Sequence, residues 1–124
     1  MTTAQIQDCG VSKLSPSALN LVSEFFKVLS ESSRLQIVCC LRSGAKNVSQ
    51  VVDMTGLNQA NVSKHLKILT QAGIVSRQQQ GVCAFYEISD GLVFDLCERV
   101  CNALSVQIQQ QNEHLEHLSV IRSK

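Results

Sequence analysis

The feature that most constrains this chain is a change of apolar period at Gly73. Before it, apolar residues recur at the spacing of a helix face; after it, they alternate as on a strand. Val62, Leu66 and Leu69 stand at i, i+4 and i+7 on a helix expected from Gln59 to about Gln71, capped by Asn58 and ended by Gly73. Residues 74–77 and 82–88 read as two strands, with residues 78–81 as the hairpin tip. Thr55-Gly56-Leu57 is a tight turn ahead of the capped helix. Short helix, glycine turn, helix and hairpin, in that order, predict a winged helix-turn-helix. The expected fold class is mainly α with a β-hairpin wing.

Ser15 caps a first helix, with Pro16 at its first position and Leu21, Val22, Phe25 and Leu29 crowding one face. Residues 30–33 offer several caps for a second helix, which passes through Cys39 and Cys40 and stops at Gly44. Asn47, with Gln50 three residues on, is a capping box for a short third helix. Asp90 opens a last helix expected to reach Leu118, with Val93, Leu96, Val100, Leu104, Ile108, Leu115 and Leu118 along one side. Residues 1–14 read as a flexible tail, 15–118 as a single winged-helix domain and 119–124 as a C-terminal tail.

At 124 residues, 44% apolar and 17% charged, the chain is neither disordered nor membrane-embedded by composition. No apolar run approaches the ~18 residues of a membrane span. The start of the chain lacks a basic segment followed by an apolar one, so a secretory signal is not expected and a cytoplasmic location is. A net charge of +1 does not mark a nucleic-acid binder, so that reading rests on local charge. No acidic residue stands between Asp53 and Glu87, while Lys64, Lys67 and Arg77 do. The polar face of the fourth helix is expected to carry Gln59, Asn61, Ser63, Lys64, His65 and Lys67. Lys64, Lys67 and Arg77 then suit phosphates, whereas Gln59, Asn61, Ser63 and His65 suit base edges. Gln79, near the hairpin tip, joins the DNA-binding set. A solvated helix face is the plain alternative; the turn, the wing and the missing acids together favour double-stranded DNA.

The stretch Leu57-Asn58-Gln59-Ala60-Asn61-Val62-Ser63-Lys64-His65-Leu66-Lys67-Ile68-Leu69, with Ala72-Gly73-Ile74-Val75 after it, resembles the ArsR/SmtB family of bacterial repressors. Phe26-Lys27-Val28-Leu29-Ser30 and Ser33-Arg34-Leu35-Gln36-Ile37 resemble that family's first two helices. The resemblance implies a homodimer joined through the first and last helices, which binds operator DNA and releases it when an inducer arrives. It also implies that the chain is not an enzyme. A thiol oxidoreductase would show Cys-x-x-Cys beside a βαβ pattern. Cys97 and Cys101 have three residues between them and no strand pattern before them.

The inducer is a separate question. Family members with a Cys-x-Cys metal site carry it at the start of the third helix, where this chain has Val48-Ser49-Gln50-Val51-Val52-Asp53. The family's zinc positions on the last helix fall on Asp90, Leu92, Ala103 and Val106, of which only the first is a ligand type. His114 and His117, with Glu113 and Glu116, read as a solvated helix end. No metal and no cofactor is therefore expected.

Six cysteines remain: Cys9, Cys39, Cys40, Cys83, Cys97 and Cys101. Cys9 and Cys83 read as bystanders. Cys39 and Cys40 are vicinal, and Cys97 and Cys101 stand at i, i+4. The resemblance implies that the second and last helices approach each other, bringing these four sulfurs near. One branch of the family bridges those helices with a disulfide; Cys39 matches its first position, but the second falls on Ser105. Three chemistries stay open: a vicinal Cys39–Cys40 disulfide formed by an oxidant such as hydrogen peroxide, a bridge from either to Cys97 or Cys101, and an arsenite or soft-metal site built from Cys97, Cys101 and another cysteine. Burial of Cys39 and Cys97 as small apolar fillers is the plain alternative. The retained thiols favour redox sensing, and at this level the chain resembles the RexT-type redox regulators of cyanobacteria.

Overall fold

The computed structural model describes residues 10–123, and the chain divides into two compact units, Met1–Ser89 and Asp90–Lys124. In the first unit, a 3-10 turn at Gly10–Lys13 lies within the segment expected as a tail; Cys9 falls outside the described residues. Helix α1 (Pro16–Leu29) begins as its sequence dictates: the Ala18 N–H donates to Ser15 Oγ at 3.2 Å, and Pro16 takes the first turn, where no N–H is missed. Helix α2 (Ser32–Cys40) runs into a 3-10 turn, Leu41–Ser43, and stops at Gly44, whose φ of 127° suits glycine. No serine caps it: Ser30 lies one residue too early, and Ser32 and Ser33 are inside the helix. Glu31 holds the N-cap position without a side-chain cap bond, because its carboxylate is engaged by Arg34.

Helices α3 (Val48–Thr55) and α4 (Gln59–Gln71) have the ends read from the sequence. Asn47 and Gln50 exchange side-chain and backbone hydrogen bonds at 2.9 Å each, and Asn58 Oδ1 accepts the Asn61 N–H at 2.8 Å. Ile37 and Val38 of α2, Val51 of α3, and Val62, Leu66 and Leu69 of α4 are all fully inaccessible, so three short helices share one core. This packing leaves the outer side of α4 free to carry polar residues.

Strands β1 (Val75–Gln80) and β2 (Cys83–Ile88) form an antiparallel hairpin in register from Val75 opposite Ile88 to Gln80 opposite Cys83. The turn is Gly81-Val82, not the longer tip 78–81 expected, and Gln78, Gln79 and Gln80 belong to the strand. Their exposure explains the difference: a run of glutamines has no apolar alternation for a pattern to register, while the backbone ladder needs none. Gly81 has a φ of 62°, and among the described residues no other residue type has positive φ. A positive φ at the first turn position alone is the type II′ geometry that matches strand twist. An isolated bridge ties Lys46 to β2, with Lys46 N–H donating to Tyr86 O at 2.9 Å and Tyr86 N–H to Lys46 O at 2.8 Å.

The second unit is helix α5 (Leu92–Ser123), opened by Asp90, whose Oδ1 accepts the Leu92 N–H at 2.9 Å. It continues past Leu118 to Ser123, into the segment expected as a C-terminal tail. Among the described residues, no helix is long and apolar enough to cross a membrane.

Candidate nucleic-acid interface and thiol groove

Every turn of α4 divides into an inner and an outer side. Val62, His65, Leu66 and Leu69 are buried, at i, i+3, i+4 and i+7; Gln59, Asn61, Ser63, Lys64 and Lys67 are exposed. Four of these five exposed residues lie within the first two turns, the part of a recognition helix that reaches base edges. The two lysines supply positive charge beside the amides and hydroxyl. The structure thus brings together five of the six residues read as the polar face of this helix.

The sixth, His65, is a correction. It is only 3% exposed and points inward, so it is not available to a base. Its position three residues after Val62 completes the buried stripe, which a reading based on i, i+4 and i+7 alone overlooks. The imidazole is satisfied inside. Arg34 Nη1 lies 3.5 Å from Nδ1, and Glu31 Oε1 lies 3.4 Å from Nε2. Burial pushes the His65 pKa below its ordinary 6.5, against the opposing pull of Glu31 and with help from Arg34 and Lys64. A neutral ring protonated on Nε2 meets both partners, accepting from Arg34 and donating to Glu31. Arg34 extends the network: its Nε donates to the Val28 carbonyl of α1, and its Nη1 pairs with Glu31 at 2.9 Å. One guanidinium therefore connects the end of α1 and the start of α2 to the recognition helix. The sequence signal for this was a lone arginine within an apolar helix.

The wing presents Arg77 and Gln79 near its tip. Arg77 Nη2 donates to Gln79 Oε1 at 2.8 Å, and Gln79 Nε2 donates to the Gly81 carbonyl at 3.1 Å. These bonds hold the arginine out along the strand, with Val82 beyond it 98% exposed.

Two of the four cysteines singled out lie in this unit, at the end of α2. Cys39 is exposed and Cys40 buried, and both line an open groove of about 490 Å³ whose other walls include Leu35 and Gln36 of α2 and Met54 and Thr55 of α3. Cys40 Sγ sits 3.6 Å from Met54 Sδ. Burial pushes the Cys40 thiol up from its ordinary pKa, Lys46 pulls it back, and Cys39 adds a smaller push. Cys39 is thus not the buried filler the plain alternative required. Cys97, half-buried, and Cys101, exposed, are on α5 in the other unit, and Cys83 is exposed on β2. Among the described residues, no group of three or more His, Cys, Asp or Glu is placed to hold a metal.

The model of bacterial regulatory proteins of the arsR family matches residues 31–77, which span α2, α3, α4 and the start of β1. An HTH-type transcriptional regulator of Methanocaldococcus jannaschii is 34% identical over 79 residues, covering 63% of this chain and 89% of that one. A probable mercury resistance operon repressor of Streptomyces lividans is 31% identical over 74 residues, 60% of this chain; the match spans only 59% of the repressor's own length. Among solved structures, a homodimeric winged helix-turn-helix DNA-binding domain from Mycobacterium bovis superposes with a TM-score of 0.67 at 28% identity, covering 76% of this chain and 90% of that one.

Proposed function

This chain belongs to the arsR family of bacterial regulatory proteins, and from that premise we propose a cytoplasmic, homodimeric transcriptional repressor whose hold on operator DNA is released when cysteine thiols are oxidised. In the dimer, the exposed apolar side chains of α1 (Leu21 at 74%, Phe26 at 54%) and of α5 pack against a second copy. Two copies of α4 then enter successive major grooves about 34 Å apart. Gln59, Asn61 and Ser63 read bases; Lys64, Lys67 and Arg77 hold phosphates; Gln79 steadies Arg77.

The observation that carries the redox part is the place of Cys39 and Cys40. They end α2, and the chain from there leads through the turn Leu41–Ser43 to Lys46, which is clasped to the wing at Tyr86. Cys40 also touches Met54 of α3, which precedes the recognition helix. Exposed Cys39 is the sulfur a peroxide reaches. Its thiolate attacks one peroxide oxygen, the O–O bond breaks, and the sulfenic acid forms with release of one water. The Cys40 sulfur then displaces the second oxygen as water, so two thiols and one peroxide give a disulfide and two waters. Adjacent Cα atoms are about 3.8 Å apart, below the ~4.4 Å at which disulfides normally begin. Closing the ring therefore distorts the last turn of α2, and both DNA-reading elements are attached there. A second reading, arsenite or a soft metal held by Cys97 and Cys101 one turn apart on α5, is favoured only by that spacing and by the Streptomyces relative's name.

The test is binding of the reduced, chelator-treated protein to the DNA upstream of its own coding region, before peroxide, after it, and after dithiothreitol. The proposal expects tight binding, its loss and its recovery, with Cys39→Ser and Cys40→Ser indifferent to peroxide. Binding that ignores peroxide would sink the redox reading and shift weight to arsenite at Cys97 and Cys101.

A further inference from the structure

The sulfur chemistry of the groove extends beyond two thiols. Cys39 and Cys40 share it with Met54, and the contact between Cys40 Sγ and Met54 Sδ is 3.6 Å. Metal–sulfur bonds are about 2.3 Å, so two sulfurs on one trigonal or tetrahedral ion sit roughly 3.8–4.0 Å apart. The thiol and thioether are thus within a few tenths of an ångström of a chelating separation before any ion arrives. Met54 is 58% exposed and Cys39 is exposed, so the groove is open to an entering ion.

We propose that Cys39, Cys40 and Met54 form a binding site for a thiophilic monovalent d10 cation, for which Cu(I) is the probe. The donor set selects the ion. Thioether and thiolate sulfurs favour soft Cu(I), whereas zinc takes four N, S or O ligands, which no described cluster of His, Cys, Asp and Glu supplies. Three sulfurs satisfy a trigonal Cu(I) completely. Binding is not a redox step: two S–H bonds break, their protons leave to solvent, three Cu–S bonds form, and copper stays Cu(I). The complex carries one negative charge. Lys46, whose positive charge already favours the Cys40 thiolate, offsets it.

The experiment is an anaerobic titration of the reduced full-length chain with Cu(I) against the competing chelator bicinchoninate, followed by X-ray absorption of the loaded protein. The expected result is one Cu(I) per chain with three sulfur neighbours near 2.3 Å. Losing even an outer-shell partner costs about 10–100-fold in metal affinity, so Met54→Leu should weaken binding at least that much and leave two sulfur neighbours. That variant keeps the side-chain volume and an apolar surface at an exposed position, and circular dichroism checks its fold. Cys39→Ser should also drop the sulfur count, while a Cys97→Ser, Cys101→Ser double variant should bind unchanged. Unaltered affinity and sulfur count in Met54→Leu, or loss of binding in the Cys97, Cys101 variant, would overturn the site. No DNA enters the measurement, so failure of the repressor reading and failure of this site are told apart.

Discussion

Helices α4 and α5 handle their apolar residues in opposite ways. In α4 every member of the stripe is inside: Val62, Leu66 and Leu69 are fully inaccessible. In α5, Val93 in the first turn is only 3% exposed, but further along Val100, Leu104, Ile108 and Leu115 are 55%, 42%, 47% and 63% exposed. The first helix is completed by its own chain, so its outer face is free for a polar surface. The second carries an apolar face that its own chain leaves in water, which is the signature of a surface meant for another molecule. One helix turns a polar face outward and the other an apolar one, and the same periodicity in sequence underlies both.

The contrast predicts where damage appears. Leu66→Ala should cost about 2–5 kcal/mol of folding stability through lost burial and a cavity, read by urea denaturation. An effect under about 1 kcal/mol would break the claim that α4 is completed internally. Leu104→Glu should act on association instead, weakening the dimer at least about tenfold in sedimentation equilibrium, which is ~1.4 kcal/mol. A dimer unmoved by that charge would mean that this face serves something else. On the outer side of α4, Lys64→Ala should weaken all DNA alike and flatten the salt dependence by about one unit, with folding unaffected. The smallest effect sharpens the inner side. His65 is held below its ordinary 6.5, so between that value and its depressed folded pKa the unfolded chain binds more protons than the folded one. Stability should be level above about pH 6.5 and fall as pH drops below it, and His65→Gln should flatten that slope in urea midpoints measured from pH 7.5 to 5.5.

Much of this was legible in the sequence where one local interaction decides the outcome. Asn47 with Gln50, Asn58, and Ser15 with Pro16 mark helix starts because a short side chain beside an orphan N–H acts within one turn. Gly44 and Gly56 mark stops through their positive φ. What was not legible depends on partners distant in the chain. His65 is polar by type and buried by its place in the stripe, and Arg34 and Glu31, both more than thirty residues away, make that burial tolerable. The bridge between Lys46 and Tyr86 leaves no trace in either residue, since it uses backbone alone. The glutamines of β1 carry no period, so the hairpin's true turn emerged only from the ladder. Of the base-reading set, Gln59, Asn61 and Ser63 lie on the face expected, and His65 does not.

Arg34 has a consequence for substitution. Its planar fork serves the Val28 carbonyl, the Glu31 carboxylate and the His65 ring at once, with the side chain only 13% exposed. A lysine there keeps the charge but offers one ammonium on a flexible stem, which cannot span three acceptors set at fixed angles. Arg34→Lys would conserve charge yet release the recognition helix from α1, leaving a folded protein whose reading head is no longer held at one pitch.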